Sequence, residues 1–444
     1  MRKVMLSLLL LMALLAVPLF AGGKQEAPAA KQSTSAGFDW KTFEGTKIKI
    51  MVNKHPWVDI IQPKLSEFEA LTGMKVELAI YPEDQFRTKR TVEMVSGTSD
   101  VDVFMLMPGN ALAQYVQSGW LAPLNDFMKS DKYLWPDYDI KDIYPAALNA
   151  GVRNGKNYTI PILLETSLLA YNKEIFNRYG ITVPKTMNEL EAAAKKIYES
   201  SNGDIYGITL RGKKASATSQ WVDFLHSFGG EWLDSDGKAA VDSPESIAAT
   251  EFYGKLLRLY GPKSAPSNSW YESISIFMQG KAAMVYDASV FKPNYENPEK
   301  SAISGKVGYA IIPKGPAGSI PHVSNWGLTI YSGSKHKEAG WLFIQWATSK
   351  KMALQGQLAG IPSARASAWT SPEFKSKDTS PEWTNASIAS YKVASPLWNP
   401  PVIPVGEVRD AMGAAIVAAI LGQDTAAACK EAAKAIDRIL ANSQ

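Results

Sequence analysis

One cysteine, Cys429, serves the whole chain of 444 residues. It cannot pair internally, so no disulfide framework holds the fold, and a chain of this length can bury enough apolar surface without one. Histidine is almost as scarce. His55, His226, His322 and His336 are far apart, and none stands in a compact Cys/His ligand pattern, so no metal site is expected. No glycine-rich loop precedes a Lys-Ser or Lys-Thr pair, so no nucleotide-phosphate cradle and no cofactor are expected. Net charge is only +4 with 20% charged residues, which does not supply the concentrated basic face that nucleic acid demands. No solenoid-length repeat is visible.

Long apolar runs are also rare. The single one, "VMLSLLLLMALLAVPLF", follows the basic start "MRK" and is followed by Ala21 and Gly22. It reads as an export signal over residues 1–21 rather than a core helix. The junction "LFAG" is similar to a lipoprotein processing site, but Gly22 stands where the lipidated cysteine would be, which argues against a lipid anchor there. Residues 22–41, opening "GGKQEAPAAKQSTSAG", are small, polar and unpatterned, and read as a flexible tether. The expected location is the periplasm.

Beyond the tether the chain is regular. "TKIKIMV" alternates like a strand. Val58, Ile61, Leu65 and Phe68 recur at helical spacing up to Gly73. "MKVELAIYP" predicts a strand, "DQFRTKRTVEMVSG" a helix, and "VDVFMLM" a buried strand. This is β-α-β-α-β, the pattern of an open, mainly parallel α/β sheet whose binding edge lies at the carboxyl ends of its strands. Three loops should meet at that edge: His55 and Trp57 after the first strand, Tyr81, Glu83 and Asp84 after the second, Met107 after the third. A second series begins at "YTIPILLETSLLAYNKEIFNRYG" and runs through "TMNELEAAAKKIYES", where Thr186 and Glu189 have capping-box spacing, to "SISIFMQGKAAMVYDAS". The alternation predicts two α/β lobes with a ligand cleft between them. Near the end, Cys429 shares a helical stripe with Ala432, Ala433, Ile436 and Leu440, and is expected to be a buried, inert thiol.

Thirteen tryptophans and 18 tyrosines suggest what the cleft holds. Trp57, Tyr81, Trp232, Trp270, Tyr286, Trp326 and Trp398 fall at loops or element ends, and aromatic faces suit the C–H patches of sugar rings and polyols. His55, Glu83, Asp84, Glu165, Asp287 and Arg409 supply hydrogen-bonding partners for hydroxyls. Competing structural roles stand beside these: Trp57 as the cap of its helix against the sheet, His55 as a loop-holding backbone partner, Asp84 as a helix cap, Trp326 as core, and Glu165 in an internal salt bridge.

The run "NKHPWVDIIQPKLSEFEALTGMKVELAIYPEDQFRTKRTVEMVSGTSDVDVFMLMPG", then "YTIPILLETSLLAYNKEIF", "FMQGKAAMVYDAS", "VGYAIIPKGPAG" and "GLTIYSGSKHKEAGWLFIQWATS", resemble in that order the extracytoplasmic solute-binding proteins of bacterial ABC importers. The carbohydrate-binding group, with its maltose- and glycerol-phosphate-binding members, is the similar one. The resemblance implies a type II two-lobe fold. It places residues 42–158 and 308–356 in the N-terminal lobe and residues 159–307 and 357–444 in the C-terminal lobe. It further implies a non-enzymatic monomer that captures a sugar, short oligosaccharide or sugar alcohol and delivers it to the membrane permease. By position, Trp57, Tyr81, Asp84, Glu165, Trp270, Asp287, Trp326 and Arg409 become wall and hydrogen-bond candidates. An exported glycoside hydrolase using the same carboxylates, or a surface adhesion protein, are the alternatives that the residues alone leave open.

Overall fold

The structure, a computed structural model, describes residues 37–443. The expected export signal and residues 22–36 of the expected tether lie outside them. Order is already present within the last residues assigned to the tether: Trp40 opens a short 3-10 turn and packs on Trp135 at 5.4 Å between ring centroids.

The strands among the described residues are β1 (Lys47–Asn53), β2 (Lys75–Tyr81), β3 (Val103–Leu106), β4 (Val152–Arg153), β5 (Lys156–Asn157), β6 (Ile160–Pro161), β7 (Glu165–Asn172), β8 (Met284–Ala288), β9 (Val307–Ala310), β10 (Val323–Ser324) and β11 (Gly327–Ile330). The first sheet runs in the order β2-β1-β3-β11-β6. Its β1, β2 and β3 are mutually parallel, as the alternation of strands and helices requires, and β11 returns antiparallel to β3 with Gly327 opposite Leu106. The second sheet is centred on β7. It pairs with β8 on one side and with β9 and β10, placed end to end, on the other. β4 and β5 form a separate hairpin.

This pairing moves one expected boundary. Residue 308 lies in β9, opposite Tyr171 of β7, and is therefore still in the second sheet. The passage back to the first sheet runs between Ser324 of β10 and Gly327 of β11. The outward passage lies between Pro161 of β6 and Glu165 of β7. Both crossings are short.

Helices cover the sheets where the periodicity places them, with one break. The single helix expected between Val58 and Gly73 divides into Pro56–Ile61 and Leu65–Thr72, joined by a 3-10 turn over Gln62–Lys64. Pro63 is the cause, since it has no N–H to continue the ladder. Gly73 then closes the second piece at φ 70°, a left-handed value that costs glycine little. Thr186 caps its helix by accepting from the Glu189 amide at 3.2 Å, while the Glu189 carboxylate reaches the amide of Lys185.

Alternate residues of β7 feed different cores. Leu168 and Ala170 join the cluster that contains the first sheet, and Leu169 joins the cluster behind the second. Cys429 lies fully buried in the latter with Ala432, Ala433 and Ile436, and burial pushes its thiol up to about 11. Trp57 is also core. It is 5% exposed and faces Pro161, Ile162 and the segment around Met352 and Ile361. Trp57→Ala is expected to cost about 3–5 kcal/mol of unfolding free energy, as for other buried aromatic truncations. Urea denaturation measures this, and an unchanged midpoint would take the indole out of the core.

Candidate functional site

Topology brings two sheet edges together. The carboxyl ends of β1, β2 and β3 share one edge of the first sheet. The start of β7 and the ends of β8 and β10 share one edge of the second, because Ser167 lies opposite Ala288 and Ser324 opposite Glu165. The two short crossings hold these edges face to face. Between them lies a cavity of about 60 Å³.

The first sheet contributes Asn53 from the end of β1, His55, Met107, and Glu83 and Arg87 from the Glu83–Ser96 helix. Trp326 enters from the return crossing. The second contributes Glu165 and Ser167 of β7, Asp287 and Ala288 of β8, Ser324 of β10, His322, Arg211 just before the Lys214–Phe228 helix and Ser219 within it. Trp270, Val290, Phe291 and Trp398 complete the lining. Of the residues singled out from the sequence, His55, Glu83, Met107, Glu165, Trp270, Asp287, Trp326 and Trp398 therefore meet here.

The others do not. Trp57 is core. His55 itself caps the Pro56–Ile61 helix, its Nδ1 accepting from the Trp57 amide at 3.1 Å, so capping and cavity lining coexist in one side chain. Tyr81 ends an edge strand, is half-buried, and does not line the cavity; Lys89 lies over its ring at 5.6 Å. Asp84 is exposed and pairs with Lys213 at 3.2 Å, because one residue along a helix turns a side chain by about 100° and only Glu83 points inward. Tyr286 and Asp287 are neighbours on a strand and must face opposite ways. Asp287 has the cavity; the Tyr286 hydroxyl donates to Asp223 behind it. Trp232 packs edge-on against Trp221 at 5.1 Å in the second core. Arg409 stands behind the lining. Its guanidinium lies 5.3 Å from the Trp398 ring and donates to Asn110 across the cleft at 2.8 Å.

Arg211, His322, Arg87 and Asn53 are lining residues that pattern reasoning missed, together with Ser167, Ser219, Ala288, Val290, Phe291 and Ser324. Arg211 comes after the strand-like "YGITL", a position equivalent to those that nominated His55 and Met107; that signal was available. His322 carried none.

The charges inside are largely matched. Arg87 pairs with Glu83, and Arg211 pairs with Asp287, with Nε to Oδ2 at 3.1 Å. Burial opposes ionisation of Glu83, but Arg87 beside it, the charge of Arg211 and the Trp270 Nε1–H, donating at 2.9 Å, hold it down to about 2. Burial pushes His55 down to about 4, against the pull of Glu83, so it is neutral at pH 7. Burial raises Glu165 to about 7 despite His322, Arg211 and a 3.3 Å bond from Ser324. Two acceptors, Glu165 Oε2 and Asn53 Oδ1, have no hydrogen-bond partner within the protein. Arg409 is lowered by burial to about 9 and remains cationic at pH 7, its N–H groups taken by Asn110, Thr218, Ser219 and the Ala215 carbonyl.

Glu83 therefore joins the lobes, reaching Arg87 on its own helix and Trp270 opposite. Its depressed pKa contributes stability that is fully present above its ordinary 4.5 and is lost as pH falls towards about 2. The stability difference between wild type and Glu83→Gln should shrink over that interval in acid denaturation. A difference independent of pH would remove the ion pair as its source.

Comparison with known proteins agrees with this geometry. The family model for bacterial extracellular solute-binding proteins matches residues 54–354. An erythritol/L-threitol-binding protein of Mycolicibacterium smegmatis is 31% identical over 77% of this chain and 74% of its own length. A mannitol-binding protein of Pseudomonas aeruginosa is 27% identical over 68% and 70%. A solute-binding protein of Agrobacterium radiobacter, solved in complex with ribitol, superimposes with a TM-score of 0.81 at 29% identity, over 89% of this chain and 99% of that one. With two sheets, short crossings and a cavity between them, the chain belongs to the bacterial extracellular solute-binding protein family.

Proposed function

We propose that this protein is the periplasmic capture component of an ABC importer for a sugar alcohol or monosaccharide, exported by residues 1–21 and working without chemistry of its own. The observation that carries the reading is the balance of the cavity. Its two guanidinium groups are already paired with carboxylates, whereas Glu165 Oε2 and Asn53 Oδ1 await donors. An anionic ligand would find no unpaired cation among the lining residues. A neutral polyol brings the hydroxyl donors those acceptors lack, and the rings of Trp270, Phe291, Trp326 and Trp398 in the lining give its C–H groups apolar surroundings. The polyols named for the relatives favour the same class.

The lobes touch across the cleft through Trp270 with Glu83, Lys213 with Asp84, and Arg409 with Asn110. Such contacts belong to a closed form, which a ligand stabilises by binding it better than the open one. The closed form is the one a permease would recognise. A glycoside hydrolase acting through the same carboxylates has no support from the relatives, which are named as binding proteins.

Calorimetry with erythritol, ribitol, mannitol, glucose and glycerol 3-phosphate tests the class. A neutral member should bind stoichiometrically and unchanged by turnover, and glycerol 3-phosphate should not. Preference for the phosphate would overturn the reading. Glu165 gives a second expected outcome. Hydroxyls donating to its carboxylate favour the ionised form, so binding below about pH 7 must expel a proton. Affinity should fall with decreasing pH, by up to about tenfold per unit, and level off above 7. Glu165→Gln should abolish that dependence; repetition in buffers of different ionisation enthalpy counts the proton directly.

A further inference from the structure

The small cavity has a large neighbour. On the far side of Trp398 an open groove of about 990 Å³ runs between the start of the Pro108–Gln117 helix and the chain around Pro400 and Ile403. Trp398 and Ser324 line both spaces. Ser324 is a strand residue whose hydroxyl bonds Glu165, and its side chain is too small to divide them. The indole is the divider.

It is also fixed. The His322 ring stacks on it at 5.5 Å and 25°, and the Arg409 guanidinium lies over it at 5.3 Å. Gly109 approaches its edge so closely that a Cβ there would fall 2.9 Å from Nε1. The next residue, Asn399, donates to the Gly109 carbonyl and to Asn110, each at 2.8 Å. Elements of both lobes therefore hold Trp398, and it is 6% exposed. Swinging it aside would break the stacking and the contact with Gly109 together.

Resting on the proposed capture of a neutral polyol or monosaccharide, we infer that Trp398 sets the length of the ligand. The cavity takes one short molecule. The groove beyond has space for a further sugar ring, and Trp398 keeps a ligand from spanning the two. Discrimination against longer ligands then comes from a steric block rather than from better contacts with short ones, a form of specificity that removing one side chain should relax.

The probes are ribitol, mannitol and glucose as short ligands, and maltose and maltitol as long ones, titrated calorimetrically into the full chain, Trp398→Ala and Trp398→Phe. Wild type should favour the best short ligand over either long one by about 100-fold or more. W398A should narrow that ratio at least about tenfold, chiefly by gaining the long ligands, and W398F should stay near wild type. Melting curves check folding; if W398A melts early, Trp398→Leu takes its place in the comparison. Equal binding of long and short ligands by wild type would overturn the inference and leave capture standing. So would a folded W398A with an unchanged ratio, or one that loses every ligand, because the indole would then be only a wall. Wild type binding none of the five would instead defeat the proposed ligand class.

Discussion

The cavity depends on two short pieces of chain, from Pro161 to Glu165 and from Ser324 to Gly327, which carry the backbone from one sheet edge to the other. A few residues cannot span much distance, so the edges that they join have to lie close. On the first sheet that edge is where parallel strands end and helices begin, and loop side chains there are not consumed by sheet packing. Glu165 and Ser324 sit at the crossings themselves, opposite each other in the ladder between β7 and β10. The polar floor of the site and the connection between lobes are thus one piece of structure, and a change of lobe angle would act directly on Glu165.

Enclosing polar groups between two bodies carries a desolvation cost, and the pairing pattern shows how it is met. Arg87 and Arg211 are neutralised by Glu83 and Asp287. His322 is held by Asp223, with its Nδ1 at 2.9 Å from Oδ1, and Asp223 is in turn bonded by Tyr286. What remains unmatched is acceptor capacity on Glu165 and Asn53. An interior that has balanced its charges yet left carboxylate and amide oxygens unsatisfied is suited to a neutral donor of hydrogen bonds. The polarity of the site and its small volume restrict the ligand in the same direction.

Much of the fold could be read from pattern. The alternation before Gly73, the strand-helix sequence to Met107, the Thr186 cap and the core stripe around Cys429 all have local causes, and each recurs in the structure. Pro63 splits a helix that apolar spacing alone made continuous. The site was legible only in outline. Strand ends nominated the right loops, but within a loop the choice between neighbours went both ways: Glu83 enters the cavity where Asp84 does not, and Asp287 where Tyr286 does not. Composition drew attention to large rings, and Trp57 and Trp232 proved to be core because an indole serves an interior as well as it serves a ligand.

Sequence alone determined the classes of element, their order and the absence of a disulfide, since these follow from periodicity, turn residues and counts; the two-lobe type was implied by the family resemblance. Tertiary structure decided which side chains share the cavity and in what charge state. Arg211 and Asp287 are 76 residues apart, and Trp270 and Glu83 are 187 apart. Burial and pairing at that range depend on where whole sheets come to rest. The cost of hiding a charge is set by the neighbours that the fold supplies, and no local window of sequence contains them.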